Sequence, residues 1–266
     1  MFDSIAGDYD ALNHILSLDV DKIWRKKALK QIVDAPAPVQ VLDLACGTGD
    51  FSIAIAKALS RSHKRVGTPI EAHVKAPAKA PVEAQVTSTG FVTGDSGRSD
   101  LMTKGHVTGV DLSEGMLAVM REKVQKSGLT EMISIEEGDG ENLRFPDNTF
   151  DRVTIAFGIR NFENREKGLR EMLRVLKPGG RLVILELSRP ENKIIRWFYD
   201  LYFLHILPKI GGKVSGDKAA YAYLPASVAA FPGKKEFSAT MRKAGFRAVT
   251  HKAFTLGICR MYTGEK

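Results

Sequence analysis

The sequence predicts an α/β fold: a doubly wound, Rossmann-like sheet of seven strands, mostly parallel, with an antiparallel C-terminal strand. Three observations predict it. Short apolar runs rich in β-branched residues recur along the chain, each too brief for a core helix and several ended by an acid. Stretches with apolar residues at helical spacing lie between those runs, so strand and helix alternate and the strands must pair in parallel through right-handed crossovers. The last two runs, Phe246 to Phe254 and Ile258 to Tyr262, are joined by a short connection and read as a closing antiparallel hairpin.

The bulk properties are those of an ordinary globular chain. With 266 residues, 44% hydrophobic and 26% charged, it is long enough for one large core. No apolar run approaches the roughly 20 residues of a membrane-spanning helix, and the N-terminal residues lack the basic-then-apolar layout of a secretory signal. The two cysteines, Cys46 and Cys259, make neither a disulfide framework nor a metal site. A cytoplasmic location and no metal are expected. The formal charge of +8 favours an anionic partner without choosing among nucleic acid, lipid surface and metabolite.

Residues 1–38 are expected to form an N-terminal helical cap. After a lead segment over 2–16, Ser17 or Asp19 is placed to cap a helix carrying Ile23, Trp24, Leu29 and Ile32, which Pro36 and Pro38 stop. The expectation is a helix pair packed on the sheet edge, with Tyr9, Asp10, Asn13 and His14 as a polar group able to line a pocket. From residue 39 the main domain begins. Val39 to Leu44 is a buried strand, Ala45 to Gly49 a tight turn in which Gly47 and Gly49 let the backbone approach a ligand, and Phe51 to Leu59 a helix. Residues 61–104 then repeat Ala, Pro, Val, Thr, Gly and Lys with one aromatic, Phe91, and read as a loosely ordered stretch with little apolar surface to bury.

The alternation resumes after that stretch. His106 to Asp111 is the second strand; Ser113 caps a helix through Met116, Leu117, Met120 and Val124 that stops near Gly128. Ile133 to Glu137 is a third strand leading into the polar turn of Gly138, Asp139 and Gly140. Phe150 to Phe157 is the fourth strand, residues 163–176 a helix, Lys177 to Gly180 a stop and turn, and Arg181 to Glu186 the fifth strand. Trp197 to Leu207 is strongly aromatic and helical, either a core helix or else a lid or membrane-facing wall over an apolar substrate. Lys234 to Gly245 is the last helix.

The glycine turn narrows the ligand. A dinucleotide fold wants G-x-G-x-x-G, but Ser52 stands at the third glycine position, and no P-loop lysine follows. An acid, three residues and then Gly-x-Gly suit the nucleoside-binding turn of S-adenosylmethionine enzymes. That cofactor has no phosphate to cradle; its amino-acid end wants close backbone approach and a carboxylate, and its ribose wants a second carboxylate, the role Asp111 fits. The ribose acid normally lies about 20 residues beyond the glycines. Asp111 lies 62 positions beyond Gly49, and the excess matches residues 61–104, which are therefore an insertion between a helix end and a strand start, on the side away from the ligand.

On its motifs the chain resembles the ubiquinone/menaquinone biosynthesis C-methyltransferase family, class I S-adenosylmethionine enzymes that methylate a prenylated quinol ring. The resemblance rests on Tyr9-Asp10-Ala11-Leu12-Asn13-His14-Ile15-Leu16-Ser17 followed by Trp24, and on Arg174 through Ser188. Phe145 to Asp151, Phe157-Gly158-Ile159-Arg160-Asn161, Tyr223-Leu224-Pro225 and Phe231-Pro232 add to it. Asp21 stands where the family usually has a histidine, and Ala156 where some members have a serine; Met1 aligns a few residues inside typical members. The resemblance implies cofactor contacts at Thr48, Asp111, Asp139 and Gly140, with Asp43, Gly47 and Gly49 building the turn.

The reaction that the resemblance implies is S-adenosylmethionine-dependent C-methylation of a demethylated prenyl quinol, such as demethylmenaquinol to menaquinol. Arg160 and Asn161, expected at the crevice mouth, are the catalytic candidates, Arg160 as stabiliser of a developing oxyanion. His14, with Tyr9 and Asn13, is a further candidate for the pocket wall. The isoprenoid tail implies peripheral contact with the inner face of the membrane, and a homodimer is left open. An RNA methyltransferase is the rival reading; no appended RNA-binding module and no aromatic-interleaved basic stripe speak for it, and no nucleic acid is expected.

Overall fold

A computed structural model describes residues 19–34, 39–66, 105–202 and 218–266. Tyr9, Asp10, Asn13, His14, Ser17 and the bulk of the proposed insertion lie outside the described residues. In chain order the elements are α1 (Val20–Ile32), β1 (Gln40–Leu44), α2 (Asp50–Val66), β2 (His106–Asp111), α3 (Glu114–Lys126), β3 (Ile133–Glu137) and β4 (Phe150–Ala156). A short 3₁₀ turn (Ile159–Asn161) precedes α4 (Arg165–Val175), β5 (Leu176–Leu187), α5 (Lys193–Leu201), α6 (Lys218–Ala230), α7 (Lys234–Ala244), β6 (Arg247–Phe254) and β7 (Cys259–Glu265).

The seven strands form one sheet in the order β3-β2-β1-β4-β5-β7-β6. β1 to β5 pair in parallel, and β7 runs antiparallel to both β5 and β6. The period-two alternation of a strand sends its side chains to two cores. Val41 faces a core with Trp24, Ile32, Ile55 and Leu117, whereas Leu42 and Leu44 face one with Leu169, Met172, Phe237 and Tyr262. Both faces are covered by helices, which is why the central strands read as unbroken apolar runs.

Several expectations need correction. Helix α1 does not sit on the sheet edge: it lies over β4 and β5 and against α2, with Trp24, Ala28 and Ile32 in the first core. The indole N–H of Trp24 donates to Thr255 Oγ1 at 2.8 Å. Asp19 occupies the N-cap position in a left-handed conformation (φ 61°) without capping through its side chain, which pairs with Lys22 at 2.7 Å. Helix α2 continues to Val66, past the expected boundary at 61. Strand β5 begins at Leu176, opposite Phe150, and carries Lys177 to Gly180 as a register shift within the strand. The apolar periodicity had no means of showing that this turn stays paired.

The proposed insertion falls in a tolerant place. His106, just after it, donates its N–H to Val39 O at 3.0 Å, at the amino ends of β1 and β2. The carboxyl ends of those strands, where Leu44 and Asp111 lead into turns, lie at the opposite edge of the sheet.

Helix α3 fixes the glycine turn from outside. Ser113 accepts from Met116 N–H at 3.3 Å and so caps α3 as expected. One turn on, Met120 is fully buried, and a Cβ placed on Gly49 would lie 2.4 Å from its Cγ; one placed on Gly109 would lie 2.7 Å from its Cε. Gly49 is therefore demanded by Met120 and by its own φ of +83°. The Gly49→Ala variant should lose about 2 kcal/mol or more of stability through strain and overpacking, read by urea denaturation; a loss under about 0.5 kcal/mol would show that the turn accepts a side chain.

Candidate functional site

The strand order reverses direction between β1 and β4, the place where open parallel sheets bind ligands beyond their carboxyl ends. A crevice of about 350 Å³ opens there. Its walls come from the turn after β1 (Ala45, Gly47), the end of β2 (Asp111, Leu112), the Gly138–Glu141 turn after β3, and Ala156 to Gly158 with Asn161 to Glu163 at and after the end of β4. Two non-glycine residues at its rim hold left-handed conformations, Ala45 at φ 48° and Phe157 at φ 61°. Such strain persists only where surrounding contacts enforce it, and it gathers at functional sites. Phe157 donates its N–H to Leu185 O at 2.7 Å, Cys46 to Val110 O at 3.1 Å and Gly49 to Cys46 O at 3.0 Å. The sheet itself pulls both turns into shape.

Asp111 ties the site together. Its Oδ2 accepts from Gly47 N–H at 2.8 Å and its Oδ1 from Ser113 N–H at 2.9 Å. A carboxylate has about four acceptor sites, so both oxygens can still accept from ligand hydroxyls. Asp139 lines the same crevice, its Oδ1 accepting from Glu141 N–H at 2.8 Å. Gly140 lines it too, and a Cβ there would lie 2.6 Å from the tip of Phe162. The charge of the lining is one-sided. Four acids, Asp111, Asp139, Glu141 and Glu163, and no Lys or Arg line the crevice among the described residues. That suits a cationic nucleoside whose sugar and base offer donors, and it opposes a phosphate chain.

Asp43 faces a small adjoining pocket that it shares with Arg25, Thr48, Asp50 and Phe157, with Ala45 and Gly47 forming the wall between the two spaces. Fully buried, it accepts from Ser52 Oγ at 2.6 Å through Oδ2, while its Oδ1 has no hydrogen-bond partner among the described residues. Burial pushes its carboxyl up to about 7, against the opposing effect of the Ser52 hydrogen bond. Thr48 is buried beside it, under Lys123 Nζ at 3.3 Å from its Oγ1, and lines this small pocket rather than the crevice. Arg25 meets Asp50 at 3.1 Å and lies 5.6 Å from the centre of the Phe157 ring. The unpartnered Asp43 oxygen and the acidic crevice fit a ligand that brings an ammonium and donor groups, as S-adenosylmethionine does.

The catalytic candidates separate. Asn161 lines the crevice and accepts from Tyr223 Oη through its Oδ1 at 3.0 Å. Arg160 does not stand at the crevice mouth. It is buried, with Nη1 3.0 Å from Glu186 Oε1, Nε 3.3 Å from Ser227 Oγ and a further close hydrogen bond from Nη1 to Phe157 O. Its own N–H also donates to Glu186 Oε2 at 3.1 Å. This corrects the expected oxyanion role: the guanidinium braces the 159–161 turn. His14 lies outside the described residues. Sequence reasoning missed Glu186 as the partner of Arg160, Tyr223 as the contact of Asn161, and Phe162 as the wall packed on Gly140.

Asp43 sets a pH dependence. Its folded carboxyl titrates near 7 and its unfolded one near 3.8, so between these values the native state binds more protons and stability falls as pH rises. Without ligand, the Asp43→Asn variant should gain on the wild type in urea denaturation as pH goes from about 5 to 8; a stability difference that stays flat with pH would contradict the raised titration.

The comparisons with known proteins agree with this chemistry. The family model described as "ubiE/COQ5 methyltransferase family" matches residues 1–266. The "Demethylmenaquinone methyltransferase" of Bacteroides fragilis is 39% identical over 100% of this chain and 91% of that protein. The "Ubiquinone/menaquinone biosynthesis C-methyltransferase UbiE" of Geobacter sulfurreducens is 44% identical over 100% of this chain and 87% of its own length. In fold, the crystal structure of a SAM-dependent methyltransferase from Aquifex aeolicus is similar with a TM-score of 0.53, at 20% identity over 90% of this chain and 88% of that one. With a match along all its residues and relatives this similar over most of their length, the chain belongs to the ubiE/COQ5 methyltransferase family.

Proposed function

We propose that the chain transfers the methyl group of S-adenosylmethionine to a ring carbon of a demethylated prenyl quinol, in the making of menaquinone or ubiquinone. The observation that carries this reading is the acidic, lysine- and arginine-free crevice at the strand-order reversal, bordered by the unpartnered carboxylate oxygen of Asp43. Family membership and the names of the relatives supply the substrate class.

The bound cofactor supplies an electrophilic methyl on a sulfonium, so the protein's task is alignment and exclusion of water. Asp111 would accept from the ribose hydroxyls of the bound cofactor, its two backbone bonds holding it in place. Asp139, at the end of the next strand, is set to accept from the adenine amino group, and Asp43 offers its free oxygen to the ammonium. Gly47 brings the backbone close. Phe157, Phe162 and Ala156 form an apolar wall, which keeps water from the transferring methyl. Asn161 offers amide donors to a ring oxygen of the quinol, where negative charge makes the ring carbon electron-rich. Arg160 acts through the turn that carries Asn161.

The prenyl tail calls for contact with a lipid surface. No helix among the described residues is long and apolar enough to cross a membrane. Helix α5 instead offers Ile194, Trp197 and Phe198, all at least 60% exposed, with the two aromatic rings 4.8 Å apart in a T-shape. Its other side is tied down: Tyr199 is buried, Asp200 pairs with Arg189 at 2.5 Å, and Arg196 donates to Pro190 O at 2.9 Å. A rigid helix with an apolar outer face, on a chain of formal charge +8, suits peripheral seating on an anionic membrane.

The deciding assay follows labelled methyl from the cofactor into demethylmenaquinol or into bulk RNA. Label should enter the quinol, and the Asp111→Ala variant should weaken cofactor binding at least about tenfold by calorimetry with a parallel loss of transfer. Label in RNA with none in quinol sinks the reading. For the membrane contact, the paired changes Trp197→Ser and Phe198→Ser should cut partitioning onto anionic liposomes by about tenfold or more at low salt. Unchanged co-sedimentation would remove α5 from the contact.

A further inference from the structure

Helix α6 grips the 159–161 turn with two side chains one helical turn apart. Tyr223 donates its hydroxyl to Asn161 Oδ1 at 3.0 Å, and Ser227 accepts from Arg160 Nε at 3.3 Å while donating to Leu224 O at 2.9 Å. The turn is held from its other side by Glu186 at the end of β5, which receives both the backbone N–H and the guanidinium of Arg160. Asn161 also donates its backbone N–H to Gly158 O at 3.0 Å. Its peptide is thus fixed by the turn, and among the described residues its side chain is held by α6.

A primary amide has one acceptor oxygen and two N–H donors. With the oxygen engaged by Tyr223, the group that Asn161 offers to the crevice is its donor end. Every ionisable side chain on that lining is an acid, which can hold donors but repels a ring oxygen that carries negative charge. A phenolate-like oxygen therefore has Asn161 as its donor among the side chains of the described lining, and the use of that donor depends on which way the amide is turned.

We propose that Tyr223 is a positioning residue. It holds the Asn161 amide with its donors towards a ring oxygen of the methyl acceptor, and so makes α6 part of the substrate-orienting unit. This rests on the proposed quinol methylation for the identity of that oxygen. The Tyr223–Asn161 contact itself does not depend on it. Removing the hydroxyl leaves the amide free to present its oxygen instead, which would face the substrate oxygen acceptor to acceptor.

The test uses the full chain and three variants: Tyr223→Phe, Asn161→Ala and the two together. Tyr223→Phe should lower kcat/KM for demethylmenaquinol by about fivefold to tenfold, the scale of one lost hydrogen bond. Cofactor affinity by calorimetry should stay within about twofold, since the cofactor-side acids are untouched. In the Asn161→Ala background the same change should have no further effect, because the group it positions is gone. A Tyr223→Phe enzyme equal to wild type, additive losses in the double variant, or a loss that follows cofactor affinity would each overturn the proposal.

A second readout needs no substrate. The side-chain amide resonances of Asn161, assigned by their absence in Asn161→Ala, should shift in Tyr223→Phe. If they do not move, the contact is not made in solution and the proposal falls. If the wild type gives no quinol methylation, the substrate reading fails and with it the role towards a quinol oxygen. The resonances then still decide whether Tyr223 sets the amide.

Discussion

The site depends on one carboxylate. Asp111 receives Gly47 N–H on one oxygen and Ser113 N–H on the other, so a single side chain joins the turn after β1 to the start of α3. Both donors are backbone groups at a helix or turn boundary that would otherwise lack partners, and a charged acceptor satisfies them more strongly than a neutral one. The carboxylate is thereby oriented before any ligand arrives. That removes much of the ordering cost that a flexible acid would carry into binding.

The rest of the crevice follows from fixing that joint. With α3 held at Ser113, Met120 is carried into the gap beside Gly49 and Gly109, and no side chain fits at either glycine. With the turn after β1 held at Gly47, Asp43 is left beneath it with one oxygen satisfied by Ser52 and the other open. The same turn forces Ala45 into its left-handed conformation, and a Cβ on Gly158 would come within 2.4 Å of the Ala45 methyl. The two loops that flank the strand-order reversal are thus fitted to each other by sterics, while the acids are set by hydrogen bonds.

This division explains what was legible in the sequence. Asp43 and Asp111 were legible because each lies at or near the end of a short apolar run, where a carboxylate demands a partner, and chain order alone puts both at the carboxyl edge of the sheet. The proposed insertion rests on an excess in the spacing between glycines and acid. Gly49 was assigned to ligand approach, but its close neighbour is Met120, more than 70 residues on, and no local pattern encodes that contact. Arg160 is expected at the crevice mouth from its position just past the fourth strand. Its true partner, Glu186, is 26 residues away on β5 and becomes visible only once β4 and β5 are paired. Helix α1 was put at the edge because amphipathic spacing gives a helix a face without saying which strands it meets.

The Arg160–Glu186 pair bears on why the turn is built this way. Removing two charges from water is costly, and a buried pair is weak evidence for stability unless its geometry leaves nothing unsatisfied. Here Glu186 accepts from the guanidinium and from two backbone N–H groups, those of Arg160 and Leu187. Arg160 also donates from Nε to Ser227 and from Nη1 to Phe157 O. An apolar pair of the same volume would fill the space but would leave those backbone groups without partners and would let the turn choose among conformations. The charges therefore serve to specify one conformation of residues 157–161, the segment in which Phe157 is strained and Asn161 faces the crevice. Because Ser227 and Tyr223 reach the same segment from α6, that helix cannot move without disturbing the Asn161 amide. The crevice wall and the helix behind it are one mechanical unit, with Arg160 as the member buried between them.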